Sequence, residues 1–179
     1  VVFMAHSIRA ILPFEETVGK RLVSYLPMAH IAERMVSHYQ QIMLGYEVTT
    51  CPEMAQVASY LVETRPHVFF GVPRVYEKLY AGVSAALAGD PERAQKFDEA
   101  VAAAKPIALR RSWDEATEED LATWDFLDQV AFAQVRQLLG MDEILLGVSG
   151  AAPIPAELLE WFRAIGVPLS EVYGMSENT

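Results

Sequence analysis

The sequence predicts an α/β fold, a mainly parallel sheet with helices on both faces and a helical insertion between the third and fourth strands. Five short apolar runs, each too short for a helix, alternate with stretches whose apolar residues recur at helical spacing. Strands alternating with helices imply right-handed crossovers, and a sheet built that way is parallel and covered on both sides. One long stretch, about 73–140, breaks the alternation and reads as helix only.

In chain order, Val1 to Arg9 lacks the basic start and long uninterrupted apolar stretch of a signal peptide, and reads as helix. The strand runs are Arg21 to Leu26, Val48 to Cys51, Val68 to Val72, Ile144 to Val148 and Leu169 to Tyr173. After the first run, Met28, Ile31, Ala32, Met35, Val36, Tyr39, Ile42 and Met43 form one helical stripe, with Gly45 as its stop signal. Glu53 to Glu63 is a second helix, and Pro155 to Ile165 another, opened by Pro155 and closed by Gly166 before Pro168. Within the insertion, Val75, Leu79, Val83 and Leu87 share a face, Asp90-Pro91 starts a new helix, and Thr117 through Leu139 ends at Gly140. Asp114, Glu115, Glu118, Glu119, Asp120, Asp125 and Asp128 follow one another with no intervening Lys or Arg, which reads as a solvated acidic face.

With 179 residues and 52% apolar composition the chain can bury a real core, and it fits one domain or a large part of one. Its 14 basic and 24 acidic residues give a net charge of -10, which disfavours nucleic acid and anionic membranes as partners. A single cysteine, Cys51, allows no internal disulfide and favours a reducing, cytoplasmic setting, with the membrane periphery left open only for the intact protein, and no stretch is apolar enough to span a bilayer. Cys51 sits in a β-branched run and reads as a small buried hydrophobe. The first residue is not Met and the last lies on a turn, so 1–179 reads as part of a longer protein, missing upstream and C-terminal parts.

A parallel α/β sheet binds ligands at the carboxyl ends of its strands. Pro27-Met28-Ala29-His30, Gly71-Val72-Pro73-Arg74, Ser149-Gly150-Ala151-Ala152-Pro153 and Tyr173-Gly174-Met175-Ser176-Glu177 all fall there. In the last of these a carboxylate suited to Mg²⁺ stands near a hydroxyl able to bond a phosphate oxygen, and Gly174 lets backbone approach a ligand. Ser149 to Pro153 is either a tight strand-to-helix connection or a landing surface for a flat ring. Tyr173 is either a core aromatic or a stacking platform. His30 shares a stripe with Arg34, Ser37 and Gln41; spacing alone makes it a solvated histidine, and the other reading is contact with a substrate carboxylate.

Three chemistries are disfavoured. His30 and Glu33 do not complete His-Glu-x-x-His, and no Gly-rich phosphate loop of the P-loop or dinucleotide type is present. Gly147-Val148-Ser149-Gly150-Ala151 approaches a serine-hydrolase elbow, but Ala151 replaces its last glycine and His6, His30, His38 and His67 all precede Ser149.

Five stretches taken together resemble the AMP-forming acyl-CoA synthetases, and most closely the long-chain fatty acid CoA ligases. They are Ser24 to Arg34 (Leu-Pro-x-x-His), Gly71 to Lys78 (Val-Pro-Arg-Val), Val148 to Pro153 (Ser-Gly-Ala-Ala-Pro), Glu160 to Pro168, and Val172 to Glu177 (Tyr-Gly-x-Ser-Glu). The resemblance implies a partial N-terminal adenylating domain whose intact enzyme uses ATP, Mg²⁺, CoA and a fatty acid. It implies that Tyr173 stacks on adenine, that Ser176 approaches the α-phosphate and that Glu177 helps hold Mg²⁺. Gly174 and Met175 fall among the nucleotide contacts. Gly150, Ala151 and Ala152 would lie against adenine and the acyl carboxylate, with His30 near that carboxylate. The family's phosphate loop, ribose-binding aspartate and mobile C-terminal domain have no counterpart in these residues, so the segment is expected to be inactive alone. The alternatives are a non-catalytic α/β interaction or nucleotide-binding module, and an adenylating enzyme that loads a carrier protein.

Overall fold

A computed structural model describes residues 2–178; Val1, the first residue of the expected N-terminal helix, lies outside the described residues. Strands β1 (Arg21–Ser24), β2 (Glu47–Thr50), β3 (Val68–Gly71), β4 (Leu146–Ser149) and β5 (Leu169–Glu171) form one sheet in the order β2-β1-β3-β4-β5, and every adjacent pair is parallel. The apolar runs overshoot these strands. Tyr25 and Leu26 leave the sheet to meet other loops through hydrogen bonds, Val72 is the residue before Pro73 at the start of a helix, and Ile144 lies in a turn closed on Met141.

The helices are α1 (Val2–Ile11), α2 (31–44), α3 (Val57–Thr64, entered through a 3₁₀ turn, Met54–Gln56), α4 (Pro73–Leu87), α5 (Pro91–Ser112), α6 (118–139) and α7 (Ala156–Ala164). Between β3 and β4 the chain is helical, as its periodicity indicates, with α4, α5 and α6 in succession. Asp90 caps α5 by accepting the Arg93 amide at 3.1 Å, and Thr117 and Asp120 close a capping box on α6. Two helices carry wide π turns, Arg34–Tyr39 in α2 and Asp128–Phe132 in α6. Each extra residue rotates the remainder of its helix about the axis, so the stripe read at a strict 3.6 period matches the buried face of α2 only in part. Glu33, Met35, Ser37, Gln40 and Leu44 are buried there, while Ile42 is 72% exposed.

The sheet is covered unequally. Alternation along each strand sends Val23, Phe69 and Leu169 to one face, into a large core built with α3 through α7. Leu22 and Val68 point the other way into a small cluster with Leu44 and Tyr46, flanked by Leu12, Phe14 and Met43. The acidic run is only partly a solvated face. Asp120 takes a two-pronged bond from Arg110 and Asp128 pairs with Arg136, so those two carboxylates are structural. Cys51 is buried, as its setting suggests, its Sγ donating to the Glu53 carbonyl at 3.1 Å. Among the described residues no helix is long and apolar enough to cross a membrane.

Candidate nucleotide and acyl site

Because every strand runs the same way, Ser24, Thr50, Gly71, Ser149 and Glu171 end on one edge, and the loops that leave them share it. Neighbouring strands lie ~4.8 Å apart, so the loops after β1 and β5 are separated by three steps, roughly 14 Å. His30, Ala151 and Tyr173 therefore belong to one rim, in the order β1, β4, β5.

Two pairs of loops are stitched together. The Tyr25 hydroxyl accepts the Val72 amide at 3.0 Å, joining the exit of β1 to that of β3, and its ring stacks on Phe69 with centroids 5.9 Å apart. Burial pushes the Tyr25 hydroxyl up to about 12; the Val72 amide opposes that rise and the Glu33 carboxylate adds to it. On the other side, the Val172 amide donates to the Ser149 carbonyl at 2.8 Å, and the Ile154 amide donates to the Glu171 carboxylate at 3.1 Å.

Between these stitches runs the small-residue loop. A Cβ on Gly150 would come within 3.1 Å of the Val172 side chain and 3.2 Å of both the Phe70 ring and the Val172 carbonyl. A larger residue there would need Val172 and Phe70 to give by a few tenths of an ångström, so the loop sits close against the exit of β5. Ala151 comes next at φ +68, a left-handed conformation that costs a residue with a Cβ about 1–2 kcal/mol. Ala151, Ala152 and Pro153 are exposed, so the loop is tight at Gly150 and open at its crest. Ser149 is fully buried beneath it, and its hydroxyl has no hydrogen-bond partner among the described residues.

Past β5 the chain turns outward. Tyr173 is 86% exposed, which removes the core reading of that ring, and its hydroxyl donates to the Met175 sulfur at 3.6 Å. Gly174, Met175, Ser176 and Glu177 are also exposed, with Ser176–Asn178 wound as one 3₁₀ turn. Glu177 stands as a single carboxylate; among the described residues no group of three or more acids, histidines or cysteines could cage a metal. One carboxylate suits Mg²⁺ when substrate phosphates and water complete its shell.

His30 is exposed and caps α2, its Nδ1 accepting the Ala32 amide at 3.1 Å. That bond makes the neutral ring an Nε2–H donor. Of the polar stripe assigned to it, Ser37 is instead buried, donating to the Glu33 carbonyl at 2.7 Å. Sequence reasoning passed over Tyr25 and Glu33. Glu33 stands three residues after a helix cap, the place where a carboxylate reaches back toward backbone amides, and that spacing was the available signal.

The rim is open rather than enclosed. A cavity of about 710 Å³ lies between α5 and α6, over Phe97, Ala100, Val130 and Val135, and another of about 500 Å³ lies at the amino ends of β4 and β5. Neither is lined by His30, residues 150–152 or residues 173–177.

A family model described as AMP-binding enzyme matches residues 1–179. The chain is 38% identical over 164 residues to a Mycobacterium tuberculosis protein provisionally named fatty-acid–CoA ligase fadD11, covering 89% of this chain and 28% of that protein. It is 31% identical over 177 residues to the long-chain-fatty-acid–CoA ligase ACSBG2 of Gallus gallus, covering 96% of this chain and 23% of that protein. Among solved structures, the inhibitor-bound N-terminal domain of FACL13 from Mycobacterium tuberculosis superposes with a TM-score of 0.53 at 18% identity, over 97% of this chain and 30% of that one. The adenylation domain of a carboxylate reductase from Mycobacterium chelonae gives 0.55 at 16% identity, over 97% of this chain and 23% of that one. At such identities the structures speak for the fold alone. The chain thus spans between a fifth and a third of the proteins it matches.

Proposed function

Since the chain belongs to the AMP-binding enzyme family, we propose that it is the part of a cytoplasmic long-chain fatty acid CoA ligase that holds adenine, the α-phosphate and the acyl carboxylate. The intact enzyme joins a fatty acid to ATP as an acyl adenylate with loss of pyrophosphate, then passes the acyl group to CoA. The observation that carries this reading is the exposed turn 173–177 standing on the same sheet edge as the exposed loop 151–153. Tyr173 offers its face to adenine, with Gly150, Ala151 and Ala152 as the opposite wall. Gly174 and Met175 keep the backbone of the turn close to the nucleotide, and the Ser176 hydroxyl serves the α-phosphate. His30 offers its Nε2–H to the acyl carboxylate, orienting it without taking its charge. Glu177 is the residue that would hold Mg²⁺, which when bound supplies charge neutralisation at the phosphates. Little covalent work falls to side chains; they orient groups and stabilise charge.

In the full-length protein, Glu177→Ala is expected to lower fatty-acid-dependent pyrophosphate release from ATP by roughly 10²-fold or more, with an unchanged unfolding midpoint. Near-normal release would refute the role of Glu177. Release in the wild type with subsequent transfer to a carrier protein, and none to CoA, would favour the carrier-loading alternative.

A further inference from the structure

Glu33 is a buried carboxylate, 3% exposed, with no cationic partner among the described residues. Its two oxygens are taken by neutral donors from one short piece of chain: one by the Ser24 hydroxyl at the last residue of β1, the other by the Leu26 amide at 3.2 Å. Burying a lone carboxylate is expensive, and a leucine or methionine there would pack without that cost. What the carboxylate adds is direction.

Leu26 precedes Pro27, and both residues of such a pair are conformationally restricted, so a fixed Leu26 amide fixes the turn beyond it. That turn closes on itself through the His30 amide and the Pro27 carbonyl at 2.9 Å. It is braced from outside by the Arg34 guanidinium donating to the Met28 carbonyl at 2.7 Å. The Arg34 brace is exposed and open to water, whereas the Glu33 hold is not. His30 then caps α2 with Nδ1, so the backbone position of the turn decides where Nε2–H lies.

We propose that Glu33 is a positioning residue: its buried carboxylate, held between the Ser24 hydroxyl and the Leu26 amide, sets the turn 27–30 and so the imidazole that meets the acyl carboxylate. The proposal rests on the ligase reading given above for the role of His30. Glutamine keeps the length of the side chain and can still accept the Leu26 amide while its own amide donates to the Ser24 oxygen. Aspartate keeps the charge but, one methylene shorter, cannot reach both partners.

The test uses full-length protein carrying Glu33→Gln, Glu33→Asp, His30→Ala, or Glu33→Asp with His30→Ala. The readouts are KM for fatty acid and for ATP by pyrophosphate release, and the rate at which diethyl pyrocarbonate modifies His30, located by peptide mass mapping. Glu33→Asp is expected to raise KM for fatty acid roughly 10-fold with KM for ATP within about 2-fold, while Glu33→Gln stays within about 3-fold of wild type in both. The double variant is expected to be no worse than His30→Ala. The modification rate of His30 is expected to change about 3-fold or more in Glu33→Asp and to be unchanged in Glu33→Gln. A glutamine variant as impaired as the aspartate one, a parallel rise in KM for ATP, or losses that multiply with His30→Ala would overturn the proposal. Should Glu33→Asp not fold, Ser24→Ala removes one of the two donors and is read by the same criteria. A wild type without fatty-acid-dependent pyrophosphate release would sink the ligase reading, and the His30 modification rate would still decide the positioning role by itself.

Discussion

Tyr46 shows how one buried atom ties stability to pH. Its ring fills the smaller core while its hydroxyl is buried with no hydrogen-bond partner among the described residues. Burial pushes that hydroxyl up to about 12, from an ordinary value of 10.0. Burial penalises only the charged form, so the folded state keeps its proton where the unfolded chain has lost it, and stability is untouched below pH 10 and falls as pH climbs from 10 to 12. Tyr46→Phe is therefore expected to stabilise the fold by about 1 kcal/mol near neutrality, because an unsatisfied hydroxyl is removed, and to flatten the alkaline loss. Urea midpoints of both proteins at about pH 7 and about pH 11 check this; a destabilised variant would mean that the hydroxyl has a partner. Single residues of this kind escape a sequence reading. Glu33 carries a capping spacing in the sequence, but that it grips the exit of β1 is visible only in the structure. Tyr173, the last residue of the apolar run 169–173, reads first as a core aromatic until β5 ends at Glu171 and leaves the ring outside the sheet.

At the scale of elements, α6 is anchored to the end of α7. The Trp124 indole donates to the Ala164 carbonyl at 3.0 Å, and Arg136 donates to the Ile165 carbonyl at 2.7 Å while pairing with Asp128 across the π turn. These carbonyls close a helix that has no further turn to use them, so side chains from the insertion complete its C-terminus. Arg136→Met is expected to cost about 2 kcal/mol, since it removes a bond to a buried carbonyl and strands Asp128, and denaturant unfolding reads the loss directly. Where the helices begin and end was largely written in the sequence, whereas the apolar runs overshot the strands. Asp90-Pro91, Thr117, Gly140 and the Gly166–Pro168 pair all mark boundaries through capping and backbone chemistry that belongs to those residues themselves. The π turns were not legible, because a periodicity search presumes one residue spacing and a wide turn changes it partway through a helix. Hence the stripe holds at Met35, Val36 and Met43 and fails at Ile42, while Ser37 and Gln40 outside it are buried.

For the whole molecule, the parallel sheet and its common carboxyl edge came from alternation alone, since alternation dictates direction and direction collects the loops. Uneven cover could not be read that way, because a strand with apolar residues on both sides says nothing about how much is packed against each. One face holds a core drawn from five helices, whereas the other is sheltered chiefly around Leu22 and Val68. The rim carrying His30, Ala151 and Tyr173 is likewise open, with neither cavity reaching those residues. Residues 1–179 alone are accordingly expected to bind Mg·ATP more weakly than about 1 mM, too little to register in calorimetry at ordinary concentrations. Micromolar, Mg²⁺-dependent binding would show that this edge is sufficient without the rest of the protein.

The grip of Trp124 and Arg136 on the carbonyls of Ala164 and Ile165 also bears on recombination between relatives. A chimera that exchanges 73–140 for a relative's helices replaces the donors that finish α7, the helix that leads into the amino end of β5. Grafts that carry an equivalent indole and guanidinium should keep β5 in register; those that do not would import a frayed helix end at the amino end of β5, across the sheet from the turn at Tyr173, however well their cores match.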